Sequence, residues 1–244
     1  MRPPTASPSL PLWAAVASLP LLLAWDASDL DMRMAAWFGG PGGFALKDHW
    51  LFEAILHEGG RFLAWACVLA ATLMVWWPIG FFRRIDGSRR LQLVLTALAA
   101  ALAVSVLKAF SHTSCPWDLA EFGRAARHVS HWDWVTFDGG SGRCFPAGHA
   151  SAGFGFVAGY FAFARDAPRV ARAWLVAALL VGLIFGLAQQ VRGAHFMSHT
   201  LWTAWLCWCV GLAADRLVAA YALWTGRAPS LGSRCPDLPS DKWY

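Results

Sequence analysis

Two histidines one helical turn apart, His195 and His199, stand in the stretch Gln190-Val-Arg-Gly-Ala-His195-Phe-Met-Ser-His199, where a polar turn leads into an apolar run. An imidazole can attack an electrophile, move a proton or hold a metal, and the partner of its second ring nitrogen decides which. At a spacing of i, i+4 both rings share one helix face, so His199 could fix the tautomer of His195. Arg192 at the turn offers a forked pair of donors that suits phosphate oxygens, and Gln189 and Gln190 add neutral donors. The spacing would also serve a metal, but the intervening Glu of the zinc-peptidase pattern is absent. Phosphoryl chemistry is the stronger expectation.

Two further polar knots stand at similar depths. Lys108 ends one apolar run, seven residues before Cys115-Pro116-Trp117-Asp118. Its ammonium could pair with a phosphate oxygen; taken alone, the favoured reading is a lysine reaching out of a bilayer. Phe145-Pro146-Ala147-Gly148-His149 opens another run. Pro suits a first helical turn, Gly148 permits close backbone approach, and the free N–H groups of such a turn make an anion seat. His149 could then protonate a leaving oxygen. Taken together, three such knots on one face describe a single anion-handling site.

The elements that must position them are membrane helices. Of 244 residues, 57% are apolar and only 14% charged, a balance too apolar for an ordinary soluble domain. Apolar runs at about 9–25, 62–82, 91–110, 149–164, 173–190 and 196–215 predict an all-α integral membrane bundle of six helices. The net charge of +5 resides largely in short loops, such as Arg83-Arg-Ile-Asp-Gly-Ser-Arg-Arg90 and Arg165 to Arg172. That distribution signals membrane orientation rather than nucleic-acid binding, and puts both loops and both termini on the cytoplasmic side. The segments 26–61 and 111–148 and the turn at 191–195, richer in acidic residues, then face outward. Residues 44–58 predict an amphipathic helix lying flat at the outer interface, after the break Gly39-Gly-Pro-Gly-Gly43. The first run is expected to be a retained anchor, the alternative being a cleaved signal peptide. Residues 1–227 form one domain, and 228–244, rich in Pro and Ser, are expected to be a disordered cytoplasmic tail.

Of the six cysteines, Cys67, Cys207 and Cys209 fall inside apolar runs as packing residues, and Cys235 in the tail. Cys115 and Cys144 both fall on the outer face, where an oxidising compartment would permit a disulfide. Two free thiols are the alternative; a zinc site is weaker, since no CxxC spacing occurs.

The order of these motifs resembles the type-2 phosphatidic acid phosphatase superfamily, which includes bacterial membrane lipid phosphatases and the vanadium haloperoxidases. Its three motifs run Lys-x6-Arg-Pro, Pro-Ser-Gly-His and Ser-Arg-x5-His-x3-Asp, and the resemblance covers roughly 108–200. A closer likeness is to a bacterial subgroup that carries Cys-Pro-Trp-Asp together with Arg-Gly-Ala-His-Phe. The resemblance implies a metal-free, cofactor-free phosphohistidine mechanism, with His195 as nucleophile, His149 as general acid and Lys108 and the backbone near Gly148 as phosphate ligands. This chain departs from the pattern at four places: Cys115 replaces Arg, Ala147 replaces Ser, Ala188-Gln189 replaces Ser-Arg, and His199 replaces the orienting Asp. The missing charges are expected to be relocated. Arg192 would supply one cation and Arg143, Arg124 or Arg127 another, while Asp118 or Glu121 would restore the acid.

The resulting expectation is a phosphatase of the bacterial inner membrane, with its site on the periplasmic face. It would hydrolyse a lipid phosphate or pyrophosphate drawn from the bilayer and take no nucleic-acid partner. The alternatives are a lipid phosphotransferase and a catalytically degenerate phospholipid-binding protein.

Overall fold

Apolar runs bounded by Gly, Pro and Arg become helices packed side by side in the computed structural model, which describes residues 10–226. The chain opens with α1 (Leu10–Asp26) and α2 (Leu30–Ala35), then a small hairpin of β1 (Gly39–Gly40) and β2 (Gly43–Phe44). A π-helical stretch, Leu51–Gly59, runs into α3 (Gly60–Trp76), and α4 (Gly87–Phe110) follows. After a long connection come α5 (Ser151–Phe154) and α6 (Ala158–Phe163), then α7 (Pro168–Val191) and α8 (Met197–Trp224). The expected tail at 228–244 lies outside the described residues.

Four helical stretches are long and apolar enough to cross a membrane: Leu51–Trp76, Gly87–Phe110, Pro168–Val191 and Met197–Trp224. Leu10–Asp26 and Ser151–Phe163 are apolar but shorter. The chain is an all-α, multi-pass membrane protein. The structure differs from the sequence reading at residues 44–58. Residues 51–59 form no separate surface helix; they are the first turns of the span that continues through α3. The reason is local: Gly59 and Gly60 both take right-handed helical angles, so the glycine pair carries the helix through where a break was expected.

Helix ends follow their sequence signals. Asp86 caps α4 by accepting from Arg89 N at 2.8 Å, and Pro168 opens α7. Gly193, at φ +75°, turns the chain sharply after α7 and abuts the Phe44 ring, so a side chain there would be both strained and blocked. At the start of α8, Asp31 accepts from Ser198 N at 3.0 Å, a remote carboxylate satisfying one of the helix's free N–H groups.

α4 is the hub, packed on α3, α6 and α8. Leu93, Ala100, Val104, Phe154, Val157, Phe163 and Cys207 are almost wholly buried along it or against it. α5 crosses α7 with Gly153 against the backbone of Gly182, an approach any Cβ would prevent. Tryptophans of α8 fasten α1: Trp208 Nε1 donates to Pro11 O at 2.9 Å, Trp205 Nε1 to Ala15 O at 3.0 Å and Trp202 Nε1 to Asp26 Oδ2 at 2.9 Å. A separate cap of Ala35, Phe44, Leu119, Phe122, Ala126 and Phe196 covers the end of the molecule that carries the three polar motifs.

Candidate active site

The three motif segments are stitched to one another before any side chain is considered. Arg143 N donates to Ser111 O at 2.8 Å and Cys144 N to Thr113 O at 3.0 Å, which lays the exit from α4 alongside the approach to α5. A disulfide joins Cys115 to Cys144 across this pairing, with Cα atoms 5.1 Å apart. Buried Asp138 gathers the intervening loop by accepting from Ser114 N at 2.5 Å, Ser114 Oγ at 2.8 Å and Gly140 N at 3.0 Å. The third segment joins through Trp117 N to Gly193 O at 2.9 Å and Ala147 N to His199 O at 3.2 Å. Thr203 Oγ1, one turn beyond His199, donates to His199 O at 2.8 Å and lies 3.1 Å from Ala147 O.

This framework brings Lys108, Gly148, His149, Gln189 and His195 to the wall of one cavity of about 450 Å³. His57 and Arg61, from the π-helical stretch and the first turn of α3, complete the wall. No carboxylate is among the cavity's lining residues, and among the described residues none pairs with Lys108. Gln189, in the position of a motif arginine, has its Nε2 buried without a partner. His195 is 4% exposed. Its Nδ1 lies 3.4 Å from His199 Nδ1 and 3.6 Å from Cys144 Sγ. With Nδ1 engaged there, Nε2 is the nitrogen left for chemistry.

Burial and the surrounding cations keep the imidazoles neutral. His149 precedes α5 and is pushed down to about 3 by burial first, then by the charges of His57, Lys108, Arg192 and Arg61. His195, in the turn between α7 and α8, is held well below the ordinary imidazole range by burial, with Lys108, His199 and His149 adding to it. A neutral His195 is a nucleophile at neutral pH. A cavity that resists further positive charge is one that an anion would relieve.

Arg192 is buried beside the cavity, but its Nε donates to Lys47 O at 2.7 Å and its Nη2 lies 3.9 Å from Glu53. It acts on the site by field and not as a wall residue. Arg143, Arg124 and Arg127 are exposed and outside the cavity wall, Arg143 at a left-handed φ of 56°. Asp118 accepts from Ser141 Oγ at 2.8 Å, and Glu121 is exposed. Neither of these carboxylates neighbours the histidine pair.

The residues missed by sequence reasoning are His57 and Arg61. His57 stacks on His149 with ring centroids 3.7 Å apart, and its Nδ1 lies 3.0 Å from Glu58. Their signal was present: a histidine and an arginine inside an apolar run carry the same burial cost that singled out His195. A π-helical turn is itself common at functional sites. As for metals, the cluster of candidate ligand atoms formed by Cys115, Cys144 and His195 includes both sulfurs of the disulfide, which are not thiolates and do not suit a metal.

Comparison with known proteins agrees with this arrangement. Residues 90–222, more than half of the chain, match the model of the PAP2 superfamily. No curated protein and no solved structure matches the chain. The matched region runs from the start of α4 to the end of α8 and contains Lys108, His149 and His195, so this multi-pass membrane protein belongs to the PAP2 superfamily.

Proposed function

We propose that the protein is a membrane lipid phosphatase working through a phosphohistidine. The observation that carries this reading is the carboxylate-free cavity in which Lys108, His149 and His195 converge with the unpartnered Gln189 amide. Lys108, Arg61 and Gln189 would hold the phosphoryl oxygens, with backbone N–H groups near Gly148 and the field of Arg192 behind them. His195 Nε2 attacks phosphorus as the bond to the leaving oxygen breaks. The phosphate dianion brings negative charge beside His149 and raises its proton affinity, so that His149 takes a proton from solvent as substrate binds and then delivers it to the leaving oxygen. Water, deprotonated by His149, then cleaves the N–P bond and releases phosphate.

The lipid character of the substrate is supported by the cavity's continuation. A second, almost wholly apolar groove of about 600 Å³ shares Ala64, Ala152 and Phe156 with it and runs on between α3, α5 and α7. A hydrocarbon chain lying there would leave its phosphate at His195. The Cys115–Cys144 disulfide supports placing the site on the oxidising, periplasmic side of a bacterial inner membrane, in a six-span bundle with cytoplasmic termini.

The test is phosphate release from a panel of lipid phosphates and pyrophosphates by detergent-solubilised protein, with chelator present, for wild type and His195→Ala. Release by wild type alone is the expected result. Phosphate passed to a second lipid without release would make the protein a phosphotransferase. Lipid binding without turnover would make it a binding protein.

A further inference from the structure

His199 stands where the family motif has Asp, and neither Asp118 nor Glu121 takes that place. One buried carboxylate does reach the histidine pair, from behind. Asp26, at the end of α1, has a side chain 10% exposed. Its Oδ2 accepts the indole N–H groups of Trp132 and Trp202, each at 2.9 Å, and lies 3.4 Å from Nε2 of His131, whose side chain is 9% exposed. That approach is an ion-pair distance and not an aligned hydrogen bond. His131 meets His199 nearly at right angles, with ring centroids 5.5 Å apart. Phe145 clamps the contact, stacked on His131 at 4.2 Å and edge-on to His199 at 5.3 Å. His199 completes the series at His195, Nδ1 to Nδ1 at 3.4 Å.

Asp26, His131 and His199 also share a polar cavity of about 150 Å³ that does not include His195. His195 lines the catalytic cavity and His199 this one, so the histidine pair stands between two chambers, the second lined by Asp26, Asp29 and Asp31. An acceptor for two indoles accounts for Oδ2 alone. Asp26 Oδ1 is buried without a partner, and a carboxylate so placed is costly unless positive charge comes near it.

We infer that Asp26, acting through His131 and His199, is the positioning carboxylate of the nucleophile. This rests on the phosphohistidine reading above. As His195 Nε2 bonds to phosphorus and the leaving group departs, the His195 ring becomes cationic. Its Nδ1–H is donated to His199 Nδ1, and the Asp26 charge, two rings away, stabilises the cation. The proton stays on or between the two Nδ1 atoms and remains with His195 when water cleaves the N–P bond. The titratable and charged groups around the pair are Lys108 and His149 on the catalytic side, and His128, His131, Asp26, Asp29 and Asp31 on the other.

Asp26→Asn keeps an acceptor for the two indoles and removes the charge. In the full chain in detergent, it should lower kcat roughly 10- to 100-fold with KM little changed. The acid limb of the kcat–pH profile should move to lower pH, because a cationic His195 loses its counter-charge. Asp26→Glu should restore part of kcat, and Asp29→Asn, at the exposed rim of the same cavity, should match wild type. The ¹⁵N shifts of His195 should change from an Nδ1–H tautomer in wild type to a mixture in Asp26→Asn, a readout that needs no turnover. An Asp26→Asn protein with wild-type kcat and pH profile, while His195→Ala is dead, would overturn the relay and leave the phosphatase reading standing. If wild type turns over none of the lipids, that reading falls by itself, and an unchanged His195 tautomer overturns the relay separately.

Discussion

Two polar clusters occupy opposite ends of α4, Arg89 near its start and Lys108 near its finish, roughly 28 Å apart along the helix axis. At the first, Arg89 donates to Gln92 and to Asp215, each at 2.7 Å, and Arg165 lies 3.6 Å from the same carboxylate. Arg89 and Asp215 satisfy one another there. At the second, Arg61 pairs with Glu58 at 2.6 Å outside the wall, but Lys108 has no carboxylate partner among the described residues, and Gln189, Gln190, Ser198 and Thr200 carry buried polar atoms without partners. A stability site closes on itself. A binding site leaves valences that only another molecule can fill, and its cost to folding has to be carried by ties elsewhere, here the disulfide and the helix–loop hydrogen bonds.

The contrast can be broken most sharply at Lys108. Lys108→Met should cut kcat/KM about 100- to 1,000-fold while leaving thermal stability equal or higher, since it removes a half-buried charge that has no partner. A clear loss of melting temperature with activity retained would put Lys108 in the structural class instead. Next comes the tie that supports the open end. Cys115→Ser with Cys144→Ser should cost roughly 3–4 kcal/mol, because a 29-residue separation is closed by the bond, and thermal unfolding with and without reductant measures it. The mirror-image substitution is Asp215→Asn, which should cost about 3 kcal/mol by leaving Arg89 buried and unpaired, yet keep kcat per folded molecule at the wild-type level. Loss of kcat there would couple the two ends.

The smallest effect is the response to acid. His195 titrates below the ordinary imidazole value of 6.5 when folded, so the unfolded chain binds protons first as pH falls. Its contribution is present above pH 6.5 and declines below it, at about 1.4 kcal/mol per pH unit. Asp86, which caps α4 at the balanced end, is lowered from 3.8 by hydrogen bonds from Ser88 and Arg89 that outweigh its burial, and its contribution is lost only below that value. Melting temperatures recorded from pH 8 to pH 5 should therefore fall in wild type and fall less steeply in His195→Gln, His149 keeping part of the slope, with Asp86→Asn leaving it unchanged.

The sequence announced Lys108, His149 and His195 because each stands at a boundary where an apolar run meets Gly, Pro or Cys, and boundaries are local. The cysteine pair was readable for the same reason, both members falling in segments on one face. His57 and Arg61 were hidden because they fall at the seam between a helix expected to end at 58 and a run expected to begin at 62. Asp26 and His131 were hidden differently. Nothing near either of them in the chain refers to His199; only the docking of α1 on α8 and the fold of the 111–148 connection bring the three together. Substituted motif positions mark where charge is missing, but the groups proposed to replace it come together only by tertiary packing, which no spacing encodes.

The indole bonds between α8 and α1 have a consequence for assembly. Trp202, Trp205 and Trp208 lie near the end of the described chain, and their acceptors near its beginning. A ribosome delivers the acceptors long before the donors, so α1 stays unlatched until α8 is made. Only a chain synthesised through α8 can therefore hold Asp26 where the indole of Trp202 meets it.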